Sequence, residues 1–319
     1  MMPGELKFRL RAALDIETPA CAWWSLSTVE RQWARYRYRE TLGRELNLES
    51  PRAFTEKVMW RMLNDRRQIW RLVRDKFRVR EFIRSRVGDQ YLIPLLHKTR
   101  SPETIPFDDL PTPYIIKPSH MSGVVFMVRA GDRPDAGRRQ EIVEDLHWYL
   151  ANHAGFPYGV FPWYESDPRV VVERLLVSGD DRIPRDYKFH CFDGEPHFVQ
   201  VHEGRFSNHR CTIYDAEFNR LPIKLRYPTQ HVDRPDRYEQ LLDVASRLAD
   251  GFDYIRVDLY DVSGDIYVGE ITPYDGGGLK GFDPARWDLE WGRRWQLPPT
   301  EAVGSGRNDT DGSARSEGD

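Results

Sequence analysis

The stretch IRVDLYDVSGDIYVGEITPYDGGG, residues 255–278, decides how this chain is read. Ile255, Val257 and Leu259 alternate with Arg256, Asp258 and Tyr260, the period-two pattern of a β-strand. IYVGEIT at 266–272 is its partner, and SGD at 263–265 is the turn. Turn length decides which side chains meet. A two-residue turn at Ser263 and Gly264 puts Asp258 and Glu270 on opposite faces. A three-residue loop with a left-handed glycine instead pairs Val262 with Ile266, so Asp258 lies opposite Glu270 and Arg256 opposite Thr272. Ile255, Val257, Leu259, Tyr267 and Ile271 then share the other face as core. Two carboxylates directly across a ladder repel unless a positive group lies between them. A hard cation such as Mg²⁺, completed by substrate phosphates, meets that need. For a hairpin taken alone, the plainer reading is a solvated face on which Arg256 neutralises Asp258.

The 319 residues suffice for one large domain or two moderate ones. Lys and Arg number 47 against 50 Asp and Glu, a net charge of -3, so no global basic field points to nucleic acid. Cys21, Cys191 and Cys211 form no disulfide framework and suit a reducing compartment. The first residues lack the apolar h-region of a signal peptide, and no apolar run approaches the roughly 20 residues of a membrane span. A soluble cytoplasmic protein is the expectation.

Charged, periodically apolar sequence at 26–43 and 53–87 predicts helices. In SPRAFTEKVMWRML, Ser50 is the expected N-cap and Pro51 the first helical residue. RQIWRLVRDKFRVREFIRSRVG is a second helix, closed by Gly88. From Tyr91 the texture changes to strands and Pro-rich loops. PYIIKPSHMSGVVFMVRAGD reads as strand, loop, strand, and RRQEIVEDLHWYLAN as a helix. RVVVERLLV is a short strand, and DYKFHCFDGEPHFVQVH is a hairpin turning at Asp193 and Gly194. RYEQLLDVASRLADGF is an amphipathic helix leading into the opening hairpin, and the segment after Pro299 has no apolar residues to fold around.

Single residues are weak signals. Lys76 at the polar edge of a helix reads as an ordinary solvated lysine. Lys117 ends the strand YII before PSHMSGVV, where a lysine and a small-residue loop cradle phosphate or a turn simply joins two strands. Glu173 inside VVVERLL is a costly charge unless partnered, so it suits either an adenine-binding strand edge with free backbone groups or an edge facing water. Lys188 alternates with Tyr187 and Phe189, on a face that is polar or holds an anion. No zinc spacing organises His190, Cys191 and the later histidines. The loop EGRFSNHR, with Arg205, Asn208, His209 and Arg210, is read as an anion-binding loop or a solvated turn.

In order and together, FTEKVMWRMLNDR, DKFRVREFI, YLIPLL, YIIKPSHMSG, PRVVVERLL, DYKFHCFDGEPHFVQV, RFSNHRCTIYD and IRVDLYDVSGDIYVGEIT resemble the TupA-like ATP-grasp family. That family is named for a protein of teichuronopeptide cell-wall polymer synthesis. The resemblance runs from about Ser50 to Leu297. It implies an α+β chain whose two subdomains, 98–185 and 186–298, clamp ATP. A helical part at 50–97 and an extension at 1–49 precede them, and a disordered tail at 299–319 follows.

The resemblance also implies roles. Lys76 and Lys117 would contact phosphates, with Ser119, Ser122 and Gly123 in a loop closing over them. Glu173 and the backbone of Arg174, Leu175 and Leu176 would hold adenine, Asp186 the ribose, and Lys188 both adenine and phosphate. Asp258 and Glu270 would be the magnesium carboxylates, with Thr272 where many ATP-grasp ligases have asparagine. Arg256 would stabilise a tetrahedral intermediate. The implied reaction is ATP-dependent joining of a small carboxylate to an amine through an acylphosphate, for a cell-surface polymer or secondary metabolite. A phosphotransferase, a sugar-transferring enzyme and a non-catalytic nucleotide-binding module are the alternatives.

Overall fold

The computed structural model describes residues 21–151, 167–179 and 182–299, so the expected tail beyond Pro299 and the first 20 residues lie outside the described part. The chain enters through α1 (Cys21–Leu42) and α2 (Phe54–Asn64). Tyr38 of α1 is fully buried, and its hydroxyl meets Thr55 Oγ1 at 2.7 Å. The expected cap at Ser50 does not form. Instead the Glu56 carboxylate accepts the N–H groups of Arg52 and Ala53 at 2.8 and 2.9 Å, so α2 starts at Phe54.

The single helix expected over 67–88 is broken into α3 (Ile69–Arg74) and α4 (Val79–Arg86). Asp75 causes the break. Its Oδ1 accepts the N–H groups of Phe77 and Arg78, both at 2.9 Å, which caps α4, while Oδ2 accepts the Ser119 hydroxyl at 2.7 Å. Lys76 therefore sits in a turn rather than on a helix edge.

A first antiparallel sheet joins β1 (Leu95–Thr99), β2 (Tyr114–Pro118), β3 (Phe126–Val128) and β4 (Val170–Arg174) in the order β1-β4-β2-β3. Helix α5 (Ala136–Ala151) covers one face, burying Ile142 and Leu146 on Tyr114, Ile116, Val170 and Val172. Ile115, Lys117, Val171 and Glu173 point the other way. The edge position expected for Glu173 is not found, because β4 is paired on both sides. The N–H groups of Arg174 and Leu175 are also committed, to the Pro94 and Pro113 carbonyls at 3.0 and 3.1 Å.

The second sheet is β7-β6-β5-β8-β9, built from β5 (Asp186–Phe192), β6 (Glu195–Glu203), β7 (Arg210–Asp215), β8 (Tyr254–Val262) and β9 (Asp265–Thr272), all antiparallel. Helix α6 (Tyr238–Ala249) lays Leu241, Val244 and Leu248 on Phe189, Val199 and Val257, and Trp70 and Phe82 from α3 and α4 join this core. Every residue of β5 is buried, yet its chemistry alternates: Tyr187, Phe189 and Cys191 face the core, whereas Asp186 and Lys188 face the cleft and His190, on the same side, packs against Phe54 and Trp291. At the far end of that second face, Phe192, Phe198 and Tyr254 pack on Phe54 of α2 and on Trp291 of α7 (Arg286–Arg294). The α2–α7 contact is close. A Cβ on Gly292 would lie 2.0 Å from the Arg52 carbonyl oxygen.

The opening hairpin has the expected partners by a different route. The turn is the two-residue one: Val262 pairs with Asp265, and Ser263 and Gly264 both have positive φ, 52° and 99°. A β-bulge at Gly269 supplies the extra residue, so Leu259 pairs with Val268 but Asp258 with Glu270 and Arg256 with Thr272. Only glycine fits there, since a Cβ would stand 2.5 Å from a Tyr260 ring carbon. Consequently Ile266 and Val268, not Tyr267, join Ile271 in the core.

Candidate active site in the inter-sheet cleft

The second sheet sets Gln200, Lys188, Asp258 and Glu270 side by side across four strands, with His190, Arg256 and Thr272 in a neighbouring row. Arg256 binds both carboxylates. Its Nε and Nη2 reach Asp258 at 2.7 and 2.8 Å, and Nη2 reaches Glu270 Oε2 at 2.9 Å. Its Nη1 binds Asp275, which in turn accepts Lys280 Nζ at 3.0 Å. Lys188 Nζ binds Asp258 and lies 2.8 Å from Asp186, which also pairs with Arg205 at 2.8 Å.

These groups are buried, and burial alone would raise the Asp258 carboxyl, but Arg256 and Lys188 hold it far below the usual carboxylate range. Asp275 is likewise held low, by Lys280 and Arg256 against burial. Arg256 moves the opposite way. Burial would weaken its charge, but the Asp258, Asp275 and Glu270 carboxylates keep the proton on the guanidinium more firmly than usual. Glu270 differs from its neighbours in access: its side chain is 34% exposed, and its Oε1 meets only the Ser122 hydroxyl, at 3.4 Å.

Across the cleft, Lys117 Nζ binds Glu173 Oε2 at 2.5 Å, and Arg80 reaches the other carboxylate oxygen at 3.3 Å. Those pairs are how Glu173 tolerates burial. Lys76 donates its backbone N–H to the Ser119 carbonyl at 2.9 Å and its Nζ to the Met121 carbonyl. Burial, only partly offset by Glu270 and reinforced by Lys117 and Arg74, pulls the Lys76 ammonium down to about 8. Ser119 is fully buried and bonded, so it anchors the loop, while Ser122 and Gly123 are exposed. Lys76, Lys117, Glu173 and Glu270 together line a small cavity of about 20 Å³ between the sheets.

The 203–210 loop is separate from this row, with Arg205 as the link through Asp186. Arg205, Asn208 and Arg210 line another cavity, of about 700 Å³. His209 is spent on its neighbours, with Nε2 at 2.9 Å from His202 Nδ1 and its ring stacked on Tyr227. His190 Nδ1 meets the Tyr254 hydroxyl at 3.0 Å, and burial lowers that imidazole to about 3. Among the described residues no three His, Cys, Asp or Glu side chains gather as a metal cluster.

Asp275, Lys280, Arg80 and Asp75 were missed in the sequence. Arg80 stands four residues after Lys76, and Asp275 precedes three glycines directly after β9, so both carried a signal.

No curated protein matches the sequence. Solved structures that resemble the chain include D-alanine–D-alanine ligase of Bacillus anthracis complexed with ATP, at 17% identity over 64% of this chain and 54% of that one, TM-score 0.38. D-alanine–D-alanine ligase of Helicobacter pylori gives 16% over 71% and 62%, TM-score 0.37. The ATP-grasp ligase PsnB with its minimal precursor gives 15% over 63% and 51%, TM-score 0.36. The chain thus spans 51–62% of the length of these proteins. No helix among the described residues is long and apolar enough to cross a membrane. The family model of TupA-like ATP-grasp proteins matches residues 56–296, and with that match the chain, two antiparallel sheets of an α+β fold facing one cleft, belongs to the TupA-like ATP-grasp family.

Proposed function

We propose that the protein is an ATP-dependent ligase that joins a small carboxylic acid to an amine through an acylphosphate. The observation that carries this reading is the row Lys188, Asp258 and Glu270, bridged by Arg256 and facing Lys76 and Lys117 across the cleft. Phosphoryl transfer needs positioning and charge neutralisation more than covalent help. In the first step a substrate carboxylate oxygen attacks the γ-phosphorus of ATP, and ADP leaves with the electron pair of the broken P–O bond. Lys76, Lys117 and Lys188 offset the charge on the phosphoryl oxygens. The amine then adds to the acyl carbon, phosphate departs with its bonding pair, and the amine proton passes to solvent. Arg256 stabilises the oxyanion at that carbon.

Asp258 and Glu270, with the Thr272 hydroxyl in the next row, would hold Mg²⁺. An all-oxygen set with two carboxylates suits an ion whose other positions go to phosphates and water. When bound, magnesium supplies charge neutralisation and orientation of the phosphates. In the same reading Glu173, Arg174, Leu175 and Leu176 border adenine and Asp186 the ribose. The loop at 119–123 excludes water from the acylphosphate. The subdomains 98–185 and 186–298 act as the clamp, after a helical part at 50–97 and the extension 1–49. A cytoplasmic place in the synthesis of a cell-surface polymer or secondary metabolite completes the proposal.

The deciding experiment follows ADP, AMP and free phosphate separately while the protein meets ATP, Mg²⁺ and pools of acids and amines. Acid- and amine-dependent ADP with free phosphate supports the ligase. Phosphate retained on an acceptor makes it a phosphotransferase, and AMP with pyrophosphate removes the acylphosphate route.

The lowered Lys76 adds a pH expectation. Its ammonium is charged below about pH 8 and neutral above, so a phosphate contact weakens as pH rises. The KM for ATP is expected to climb above pH 8 by up to about tenfold per unit, the limit for one proton. Lys76→Met should raise KM at neutral pH and flatten that climb. A KM for wild type that stays level to about pH 9.5 would take Lys76 out of phosphate binding.

A further inference from the structure

Beyond Glu270 the cleft opens into a cavity of about 500 Å³, large enough for a small molecule. Arg256, Glu270, Thr272 and Tyr274 line part of it, and α1 adds Arg37 and Thr41. Helix α1 lies upstream of the family match at 56–296, so the family pattern does not account for these two residues.

Arg37 is the odd member of its helix. Arg31 donates to Asn64 at 2.5 Å, Arg35 to Glu49 at 3.0 Å, and Arg39 lies 3.5 Å from Glu45. Among the described residues Arg37 lies over the Trp33 ring, 5.7 Å from its centroid, and its Nε is buried without a hydrogen-bond partner. A buried, unmet guanidinium N–H destabilises a fold unless water or a ligand satisfies it. The helix cannot easily swing Arg37 away, because the adjacent Tyr38 is fully buried and bonded to Thr55.

The cavity is also unbalanced in charge. Among the described residues that line it, Arg37, Arg74 and Arg256 stand with a single carboxylate, Glu270. Arg256 is already compensated by Asp258 and Asp275 behind it. Burial lowers Arg74 to about 10, and Tyr274 and Glu270 offset this only in part.

We infer that this cavity takes the acid substrate, and that the acid carries a second anionic group, carboxylate or phosphate, received by Arg37 beside Arg74. The reacting carboxylate of the same molecule then lies toward Arg256 and Glu270. The inference rests on the ligase reading only in naming the ligand as the substrate. Arg37 is a specificity-determining residue, selecting acids with two anionic groups over simple monoacids.

Isothermal titration of the full chain with pentanoate, glutarate and phosphoglycolate tests this without turnover. Glutarate or phosphoglycolate should bind ten- to a hundredfold tighter than pentanoate, the range of one charge-assisted contact. Which of the two binds tighter identifies the second group. Arg37→Met should erase the preference while leaving pentanoate binding unchanged, and Arg37→Lys should restore part of it. Circular dichroism verifies that the variants fold. Equal binding of all three acids to wild type, or a preference that survives Arg37→Met, overturns the inference. If the preference is lost in Arg37→Met yet no acid stimulates ADP formation, the site stands and the ligase reading falls.

Discussion

Glu270→Ala is expected to cut acid-dependent ATP turnover by roughly a hundred- to a thousandfold, the scale of losing one group that stabilises transition-state charge. The fold should survive. The side chain is about one-third exposed and is held by Arg256 at 2.9 Å and, weakly, by Ser122 at 3.4 Å. Removing it leaves Arg256 still paired with Asp258 and Asp275, while the buried Lys76 and Arg74 lose one of the groups that offset their burial. The Arg256–Glu270 pair is only partly screened by solvent, and the stability change should be about 1–2 kcal/mol. Glu270→Gln separates charge from shape: it keeps the volume and the Arg256 contact but removes the anion that faces the cleft. Both variants should fold as wild type by circular dichroism and bind ATP less tightly when Mg²⁺ is present. Turnover of Glu270→Ala within threefold of wild type would detach this carboxylate from the chemistry.

The largest stability effect is expected away from the cleft, at Arg61. This guanidinium has no exposed surface, donates to the Tyr254 carbonyl at 2.7 Å, and binds Asp253. It also lies 3.8 Å from the buried Asp65 and stacks between Trp295 and Trp70, at 4.3 and 4.7 Å from their centroids. Arg61→Met keeps much of the volume but leaves both aspartates to Arg67 and strands a carbonyl. Breaking a buried pair in this way costs about 3–5 kcal/mol, which lowers Tm by on the order of 10 °C.

Acid should narrow the difference. Burial would raise the Asp253 carboxyl, yet Arg61, the Trp295 N–H and Arg67 hold it below the usual value. A depressed folded pKa stabilises the protein above the unfolded aspartate pKa of about 4, and that stability fades as pH falls through the folded value. Without Arg61 the Asp253 carboxyl is held down less, so the variant has less acid-labile stability to lose. Paired thermal melts from neutral to about pH 4 would show the gap between variant and wild type narrowing with acid. A parallel pair of curves would mean that Arg61 acts through packing alone.

Much of the molecule could be read from the chain because alternation and periodicity are local. Strands β2 to β6, β8 and β9, the Asp193–Gly194 turn and the α6 helix follow from patterns a few residues long, whereas β1 and β7 were not singled out. The Asp258–Glu270 pairing was legible for a subtler reason: a third loop residue and a bulge residue shift the register by the same step. Only coordinates distinguish them, through Gly269 and its contact with Tyr260. The break at Asp75 escaped because its partner, the Ser119 hydroxyl, is distant in sequence. Arg37 escaped for the same reason on a larger scale, since nothing in a helical RYRYRE run says which arginine will meet a cavity.

The two-faced burial of β5 has a consequence for how the site meets its ligands. Arg205, Lys188, Arg256 and Lys280 alternate with Asp186, Asp258 and Asp275 in one chain of ion pairs, with Glu270 branching from Arg256, four cations with four anions. At rest the machinery is electrically neutral and most of it is already dry. Hydration was stripped from these groups when the chain folded, once, and not at every turnover. In the proposed reaction an arriving phosphate or acid would meet oriented charges that need only exchange partners, and the barrier would be spared the slow rearrangement of water.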